Sequence, residues 1–159
     1  MNPQLEPFIK NALLRQAETI PSKRTLSSGF SDLDRVLPGG GWPIGALTEI
    51  MNSADEGIGE LSLLMPAIAA ASQSGQGVVL VNAPHIPFPA AWSAKGVALE
   101  NCSFITTENL QEALWSTEQS LLSGACSLVI FWQPEGKAIE YKALHRLHLL
   151  AARSFLHSR

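Results

Sequence analysis

Two short, uninterrupted apolar runs constrain the fold of this chain more than any other feature. Residues 78–81 (VVLV) lie between Gly77 and Pro84, and residues 127–132 (SLVIFW) form the second run. Runs of this length are typical of parallel strands that are buried on both faces. Because segments with helical periodicity separate them, the sequence predicts a three-layer α/β domain with a mostly parallel sheet between helices.

Further elements follow from the same patterns. Residues 46–51 (ALTEIM) predict a strand that leads through an acidic, glycine-containing loop into an apolar helix over residues 61–72. Residues 103–106 predict a weaker strand, and Thr107 is the expected cap of the helix after it. An amphipathic helix is predicted over residues 137–152.

The chain is expected to consist of an N-terminal arm and one core. Turn-forming and basic residues over 19–28 (TIPSKRTLSS) predict a linker, which assigns residues 1–24 to the arm and residues 25–159 to the core. The core needs one more strand after its last helix. Either the chain is short at its C-terminus, or residues 154–157 supply that strand.

The arm carries an apolar stripe at helical spacing, with members at positions i, i+3, i+4, i+7 and i+8. These residues are Leu5, Phe8, Ile9, Ala12 and Leu13. Such a stripe docks either on the chain's own core or on a neighbouring molecule, and the pattern alone does not choose between them.

Composition excludes several classes of function. Apolar residues make up 46% of the chain and charged residues only 16%, so apolar surface is expected to remain for partner proteins. A net charge of −3 argues against a stand-alone DNA-binding protein, and DNA contact is expected only through a partner. No apolar run reaches the roughly 20 residues of a membrane span, and the N-terminus lacks a signal-peptide pattern. These features predict a cytoplasmic protein without membrane contact.

Metal and nucleophile chemistry lack support in the spacing of ligand-type residues. Cys102 and Cys126 do not have metal-ligand spacing, and His145 with His148 has no carboxylate or cysteine to complete a site. His85 has no Ser, Cys or Asp partner beside it in the sequence. We therefore expect no metal, no cofactor and no catalytic residue.

The loop after residues 46–51 stands where a phosphate-binding loop, G-x-x-x-x-G-K-[ST], would lie, and its sequence is NSADEGIG. Gly57 matches the second glycine, but Asn52 replaces the first, Ile58 the lysine and Gly59 the magnesium-binding hydroxyl. The loop therefore offers a nucleoside triphosphate neither the cation nor the metal ligand that it needs. We predict a degenerate loop that binds no nucleotide.

Residues 28–63 resemble, without a gap, the entry to the ATPase core of the RecA recombinase family. The matching residues are Ser28, Gly29, Leu33, Asp34, Leu37, Gly40, Gly41, Pro43, Gly45, Glu49, Ile50 and Gly57. The resemblance continues more loosely through both apolar runs, where the family has a catalytic glutamate and a magnesium-directing aspartate. Pro84 stands in place of the glutamate, and the run that ends at Trp132 has no acidic residue at its tip. The resemblance thus implies a RecA-like fold without the ATPase reaction, a pseudo-ATPase.

Within this superfamily the chain is similar to the ImuA family and, more distantly, to the SulA cell-division inhibitors. The segments that carry the similarity are PGGGWPIGALTEI, VVLVNAPHIPFPAAW and ALWSTEQSLLSGACSLVIFW. The GGGWP segment at residues 39–43 favours ImuA, because SulA proteins lack it. ImuA-like proteins accompany the polymerase relative ImuB and a specialised polymerase in damage-induced mutagenic synthesis, whereas SulA-like proteins bind FtsZ and block its polymerisation.

The similarity implies a non-catalytic accessory protein of the bacterial SOS response that acts in translesion DNA synthesis through contacts with ImuB, RecA or a polymerase. A SulA-type inhibitor that binds FtsZ is the alternative. In RecA-like proteins an N-terminal helix packs on the neighbouring subunit, and the apolar stripe of the arm resembles that helix, which implies self-association or RecA binding. Trp42, in a Gly/Pro turn, and Ile58, between acidic residues, are further expected contacts with partners.

Overall fold

The computed structural model describes residues 24–51, 58–134 and 136–157 of the chain. The chain divides into two compact units, Met1–Ala67 and Ile68–Arg159, which are described separately below.

The first unit contains a small antiparallel ribbon and two helical segments. The elements are strand β1 (Thr25–Leu26), helix α1 (Ser31–Val36), strand β2 (Trp42–Pro43) and the first part of helix α2 (Ile58–Gln73). In the ribbon Thr25 is opposite Pro43, and Leu26 is opposite Trp42. Buried Leu33, Leu37 and Leu63 form the core of this unit.

The carboxylate of Asp34 stabilises the segment that leads into α1. Asp34 accepts hydrogen bonds from the Ser27 hydroxyl at 2.7 Å and from the Ser28 backbone N–H at 2.8 Å. Hydrogen bonding from the Ser28 side chain, with smaller contributions from these two bonds, holds the pKa of the Asp34 carboxyl below its usual value of 3.8. The carboxylate therefore takes up backbone and hydroxyl donors that the bend before the helix leaves free.

The second unit is a parallel sheet flanked by helices, which confirms the predicted α/β class. Strands β3 (Gly77–Val81), β4 (Cys102–Ile105) and β5 (Cys126–Phe131) pair in the order β4-β3-β5, and both pairs are parallel. Val79 lies opposite Ser103 on one side and Val129 on the other. The remaining elements of this unit are the end of α2, helix α3 (Pro89–Ala94), the 3-10 turn Leu99–Asn101, helix α4 (Leu110–Ser123) and helix α5 (Tyr141–His157).

The central strand β3 lies at the core of this unit. Val78, Leu80 and Val81 are fully inaccessible to solvent. Val79 and Val81 pack with Ala113 of α4, so the helix covers one face of the sheet. A strand that is buried on both faces has no position for a polar side chain, which is the physical reason for the continuous apolar run.

One predicted strand and one possible strand are not found among the described residues. Residues 46–51 form no ladder with any described residue. A segment whose sequence suits a strand still needs a hydrogen-bonded neighbour to form one. Residues 154–157 do not supply a strand either, since α5 continues through His157. The expected cap of α4 is also wrong: Asn109, not Thr107, accepts the bond from the Glu112 N–H, at 2.9 Å.

No helix in the described part of the chain is both long enough and apolar enough to span a membrane.

Candidate functional site

Several predicted site residues lie outside the described residues. These are the stripe residues Leu5, Phe8, Ile9, Ala12 and Leu13 and the loop residues Asn52 and Gly57. Ile58 is the first residue of α2 and Gly59 the second, so the helix begins where the lysine of a phosphate-binding loop would stand. The roles proposed for the stripe residues and for the residues of the degenerate loop stay predictions.

Trp42 is less accessible than the sequence suggested. Its ring packs against the core of Leu33, Leu37 and Leu63 in the first unit. Its indole Nε1 is buried and has no hydrogen-bond partner in the described part of the chain. The side chain is therefore half-buried, which corrects the expectation of an exposed indole. Its partner-binding role stays a prediction.

The carboxyl edge of the sheet is joined by one pair of side chains that the sequence analysis missed. Asn82 follows β3 and adopts φ of 55°, the left-handed region that Asn tolerates better than most residues. Its amide Nδ2 donates to the Thr107 hydroxyl at 3.0 Å, and its Oδ1 accepts from the Thr107 N–H at 2.8 Å. Asn82 and Thr107 thus fix the loops after β3 and β4 relative to each other. An Asn directly after an apolar strand is the only sequence signal for this arrangement.

A groove of about 470 Å³ lies beside this pair at the ends of β3 and β4. Its lining is mainly apolar and includes Leu80, Leu99, Phe104 and Ile105, together with His85. No carboxylate lines it, so His85 has no acidic group there to orient it for acid–base chemistry. The groove has a volume suited to a small ligand but not the paired groups of an active site.

The strand tips carry no charge. The two residues that follow each strand are Asn82 and Ala83 after β3, Thr106 and Thr107 after β4, and Trp132 and Gln133 after β5. In P-loop ATPases a carboxylate at a strand tip directs magnesium. Within residues 24–51, 58–134 and 136–157, no group of three His, Cys, Asp or Glu side chains is placed to hold a metal ion.

Cys102 and Cys126, the first residues of β4 and β5, are free thiols at the opposite edge of the sheet. Burial, and secondarily the charge of Glu100, raises the pKa of the Cys102 thiol above its usual value of 9.0. A thiol held in its protonated form is a poor nucleophile, so this residue suits packing rather than catalysis.

The outer surface of the second unit carries the most exposed tryptophan. Trp115 on α4 is 63% exposed, whereas Trp92 on α3 is buried and Trp132 is half-buried. Sequence reasoning selected Trp42 and missed Trp115. The signal was available in the helical spacing, because Gln111 and Gln119, one turn either side of Trp115, are polar residues typical of a solvent face.

The described elements form an α/β domain with a parallel sheet, and the two residues that follow each of its strands, where such sheets commonly place their chemistry, are uncharged. No protein-family model matches the chain. Among curated proteins, it is 37% identical over 105 residues to the "DNA repair protein recA homolog 1, chloroplastic" of Arabidopsis thaliana, covering 66% of this chain and 23% of that protein. It is 33% identical over 125 residues to Protein RecA of Bartonella bacilliformis, covering 77% of this chain and 35% of the relative. Protein RecA of Streptomyces venezuelae is 31% identical over 124 residues, which cover 77% of this chain and 32% of the relative.

Homology to RecA proteins over this partial region supports a RecA-like superfamily for the chain. The chain spans about a quarter to a third of the length of these relatives.

Proposed function

We propose that the protein is a non-catalytic RecA-like accessory protein of ImuA type, which acts through protein contacts in damage-induced translesion DNA synthesis of the bacterial SOS response. Homology to RecA proteins, one of them described as a DNA repair protein, supports a role related to DNA repair. The similarity of the GGGWP segment and of both apolar runs to ImuA proteins supports the specific role.

The observation that carries the non-catalytic part of the proposal is that, in the part of the chain that the structure describes, the two residues after each strand of the sheet are uncharged. Phosphoryl transfer depends on positioning and on electrostatic stabilisation by a lysine, a metal ion and carboxylates. Ile58 and Gly59 offer neither the cation nor the hydroxyl at the start of α2, and Pro84 offers no base after β3. Because several independent groups are missing, restoring one of them would not restore the reaction.

Nucleotide binding tests this part directly. Titration of the full chain with MgATP, followed by tryptophan fluorescence and by calorimetry, is expected to show no saturable binding up to about 1 mM, the affinity expected when only weak contacts remain. A RecA protein treated identically is the positive control. Binding of ATP at micromolar affinity would contradict the proposal, and hydrolysis would contradict it further.

The partner-binding part of the proposal rests on the apolar stripe of residues 5–13. The purified chain of residues 1–159 is tested for binding to purified RecA, ImuB and FtsZ. We expect binding to RecA or ImuB, and a loss of at least about tenfold in affinity when Phe8→Glu and Ile9→Glu place charge in the stripe. Lys10→Glu, which lies off the stripe, is the matched control. Binding to FtsZ with inhibition of its polymerisation, and none to RecA or ImuB, would replace this proposal by the SulA-type alternative.

A further inference from the structure

The outward face of α5 carries a straight row of cationic side chains. Lys142, Arg146 and Arg153 are exposed, and they stand at positions i, i+4 and i+11 of the helix. Residues at these spacings lie on one face of an α-helix. With a rise of 1.5 Å per residue, the row is about 16 Å long. The helix itself, Tyr141–His157, contains no Asp or Glu, so none of its own carboxylates interrupts the row.

Two carboxylates stand near this row. Glu118 of α4 has a side chain that is only 13% exposed, and its Oε2 lies 2.8 Å from the Arg146 guanidinium, with which it forms an ion pair. That guanidinium group is on a side chain that is 66% exposed, and it has five N–H donors, more than one carboxylate takes up. Glu140 is exposed and precedes the helix, two residues before Lys142, a separation that does not bring two side chains face to face. The three cations of the row outnumber these two carboxylates, so the face is positively charged.

An exposed apolar side chain lies within the same row. Leu149 is 50% exposed, and it follows Arg146 by three residues and precedes Arg153 by four, so it lies between them on the helix surface. The sign of the charge and the place of the leucine together select the partner's chemistry. A partner that complements this face carries carboxylates around one apolar side chain. An acidic amphipathic helix has this arrangement, because it presents an apolar stripe with acids beside it.

A nucleic acid is also attracted to cations, but three features of this protein favour an acidic protein segment. A phosphate backbone has no apolar group to place on the exposed Leu149 within the row. Proteins bind single-stranded nucleic acid in positively charged grooves with aromatic rings for stacking, whereas this row follows the surface of one helix. The whole chain has a net charge of −3, which repels a long polyanion wherever it extends beyond the face.

We propose that the outward face of α5 binds an acidic, amphipathic helical segment of a partner protein. Carboxylates at positions i, i+4 and i+11 of that segment meet Lys142, Arg146 and Arg153, and an apolar side chain at i+7 packs on Leu149. The surface belongs to α5 and not to the N-terminal arm, so the inference does not depend on the proposed function. Contacts of this size are typical of weak, transient association.

A pair of synthetic peptides tests the proposal. The probe is a fluorescein-labelled helical peptide of Ala and Gln with Glu at i, i+4 and i+11 and Leu at i+7, and its control has Gln in place of each Glu. Anisotropy with the chain of residues 1–159 is expected to give a dissociation constant on the order of 10 to 100 µM for the acidic peptide at low salt. Added salt should weaken this binding, because exposed charges are screened. Equal binding of both peptides, or no binding of the acidic one up to about 500 µM, would overturn the proposal.

Substitutions on the face locate the binding surface. Lys142→Glu should weaken binding of the acidic peptide about fivefold or more, because an attraction becomes a repulsion. Leu149→Ala should weaken it about threefold, through the lost apolar contact. Lys95→Glu, at an exposed position directly after α3, changes the net charge equally and is the matched control for Lys142→Glu. Circular dichroism and thermal unfolding verify that the variants are folded. Equal effects of Lys95→Glu and Lys142→Glu would show that net charge governs binding, and would overturn the proposal.

A charge exchange tests the register of the two helices. A peptide with Lys in place of Glu at position i should bind the Lys142→Glu variant more tightly than it binds the parent chain, because the exchange restores the ion pair. The Gln control peptide should bind both chains equally. A lysine peptide that does not prefer the variant would overturn the arrangement in which position i meets Lys142.

Two further comparisons separate this inference from its alternatives. A labelled dT oligonucleotide of about 15 nucleotides should bind more weakly than the acidic peptide. Tighter binding of the oligonucleotide, weakened by Lys142→Glu but not by Leu149→Ala, would replace the proposal by a nucleic-acid surface. The variant with Phe8→Glu and Ile9→Glu should bind the acidic peptide like the parent chain, even where it loses RecA or ImuB. Loss of peptide binding in that variant would assign the peptide to the arm and overturn the inference about α5.

Discussion

Two apolar segments that the sequence predicts as strands differ in their strand pairing and in their exposure to solvent. Strand β3 lies between two parallel neighbours, and its Leu80 is fully inaccessible to solvent. The segment over residues 46–51 is also rich in apolar residues, but it has no ladder in the described part of the chain, and its Leu47 and Met51 are 43% and 62% exposed. The difference shows that β-propensity alone does not create a strand, which also needs a hydrogen-bonded neighbour.

Removing a leucine side chain from each segment tests directly whether the two segments differ in packing. Leu80→Ala should lower the free energy of unfolding by about 2–5 kcal/mol, because it leaves a cavity beneath fully buried neighbours. Leu47→Ala should cost less than about 1 kcal/mol, since much of that side chain already contacts water. Urea unfolding of both variants, followed by circular dichroism, measures the difference. Equal losses would mean that the 46–51 segment is as tightly packed as β3.

The ribbon of the first unit depends on close backbone approach rather than on a wide sheet. A Cβ added at Gly41 would lie 2.4 Å from the Leu26 carbonyl oxygen in β1, so Gly41→Ala must displace a strand. We expect a loss of about 2–3 kcal/mol. Gly40→Ala is the control, because a Cβ there meets nothing within 4 Å and only the backbone strain of its φ of +83° remains, about 1 kcal/mol. Urea midpoints of the two variants in the opposite order would contradict this account of the ribbon.

The edge of the β3 sheet can be probed through Asn82. Asn82→Ala removes the side-chain hydrogen bonds to Thr107 and leaves a left-handed backbone without a residue that tolerates it, which should cost about 1–3 kcal/mol. Asn82→Gly keeps the backbone conformation and loses only the side-chain bonds, so it should be the milder of the two changes. Thermal unfolding separates the two contributions. If the glycine variant proves as unstable as the alanine variant, the backbone conformation contributes nothing.

The smallest expected effect concerns Asp34 in the first unit. Hydrogen bonds, chiefly from the Ser28 side chain, lower the pKa of this carboxyl in the folded state, so its stabilising contribution is fully present above the unfolded pKa of 3.8. That contribution is lost as pH falls through the lower folded value. Asp34→Asn should therefore shift the urea midpoint at pH 7, and the shift should shrink at pH 3. A shift of equal size at both values would show that charge is not involved.

Much of the second unit could be predicted from its sequence. The continuous apolar runs correctly predicted β3 and β5 as parallel strands, and the patterns over residues 61–72 and 137–152 predicted α2 and α5 to within five residues of their ends. These successes share a cause, since full burial and a 3.6-residue repeat are both local properties of the side-chain pattern. The uncharged strand tips could also be read directly, because they depend only on which residues follow each strand.

The candidate surfaces were predicted less well. The sequence suggested an exposed Trp42, but this side chain packs in the core of the first unit, whereas Trp115 stands exposed on α4. Asn109 replaced Thr107 as the cap of α4, because either polar residue suits the position and only the geometry of the first turn selects one. The bond between Asn82 and Thr107 joins residues 25 positions apart, a distance at which no local pattern operates.

The sequence by itself therefore determined the α/β class, the buried central strand, the RecA-like resemblance and the lack of charged groups at the strand tips. Each of these depends on residue identity and on spacing within one segment. The tertiary structure alone decided which extended segment has neighbours, that α5 continues through His157, and which tryptophan is exposed. These depend on contacts between distant segments, because burial and strand pairing are properties of the packed chain rather than of any stretch of it.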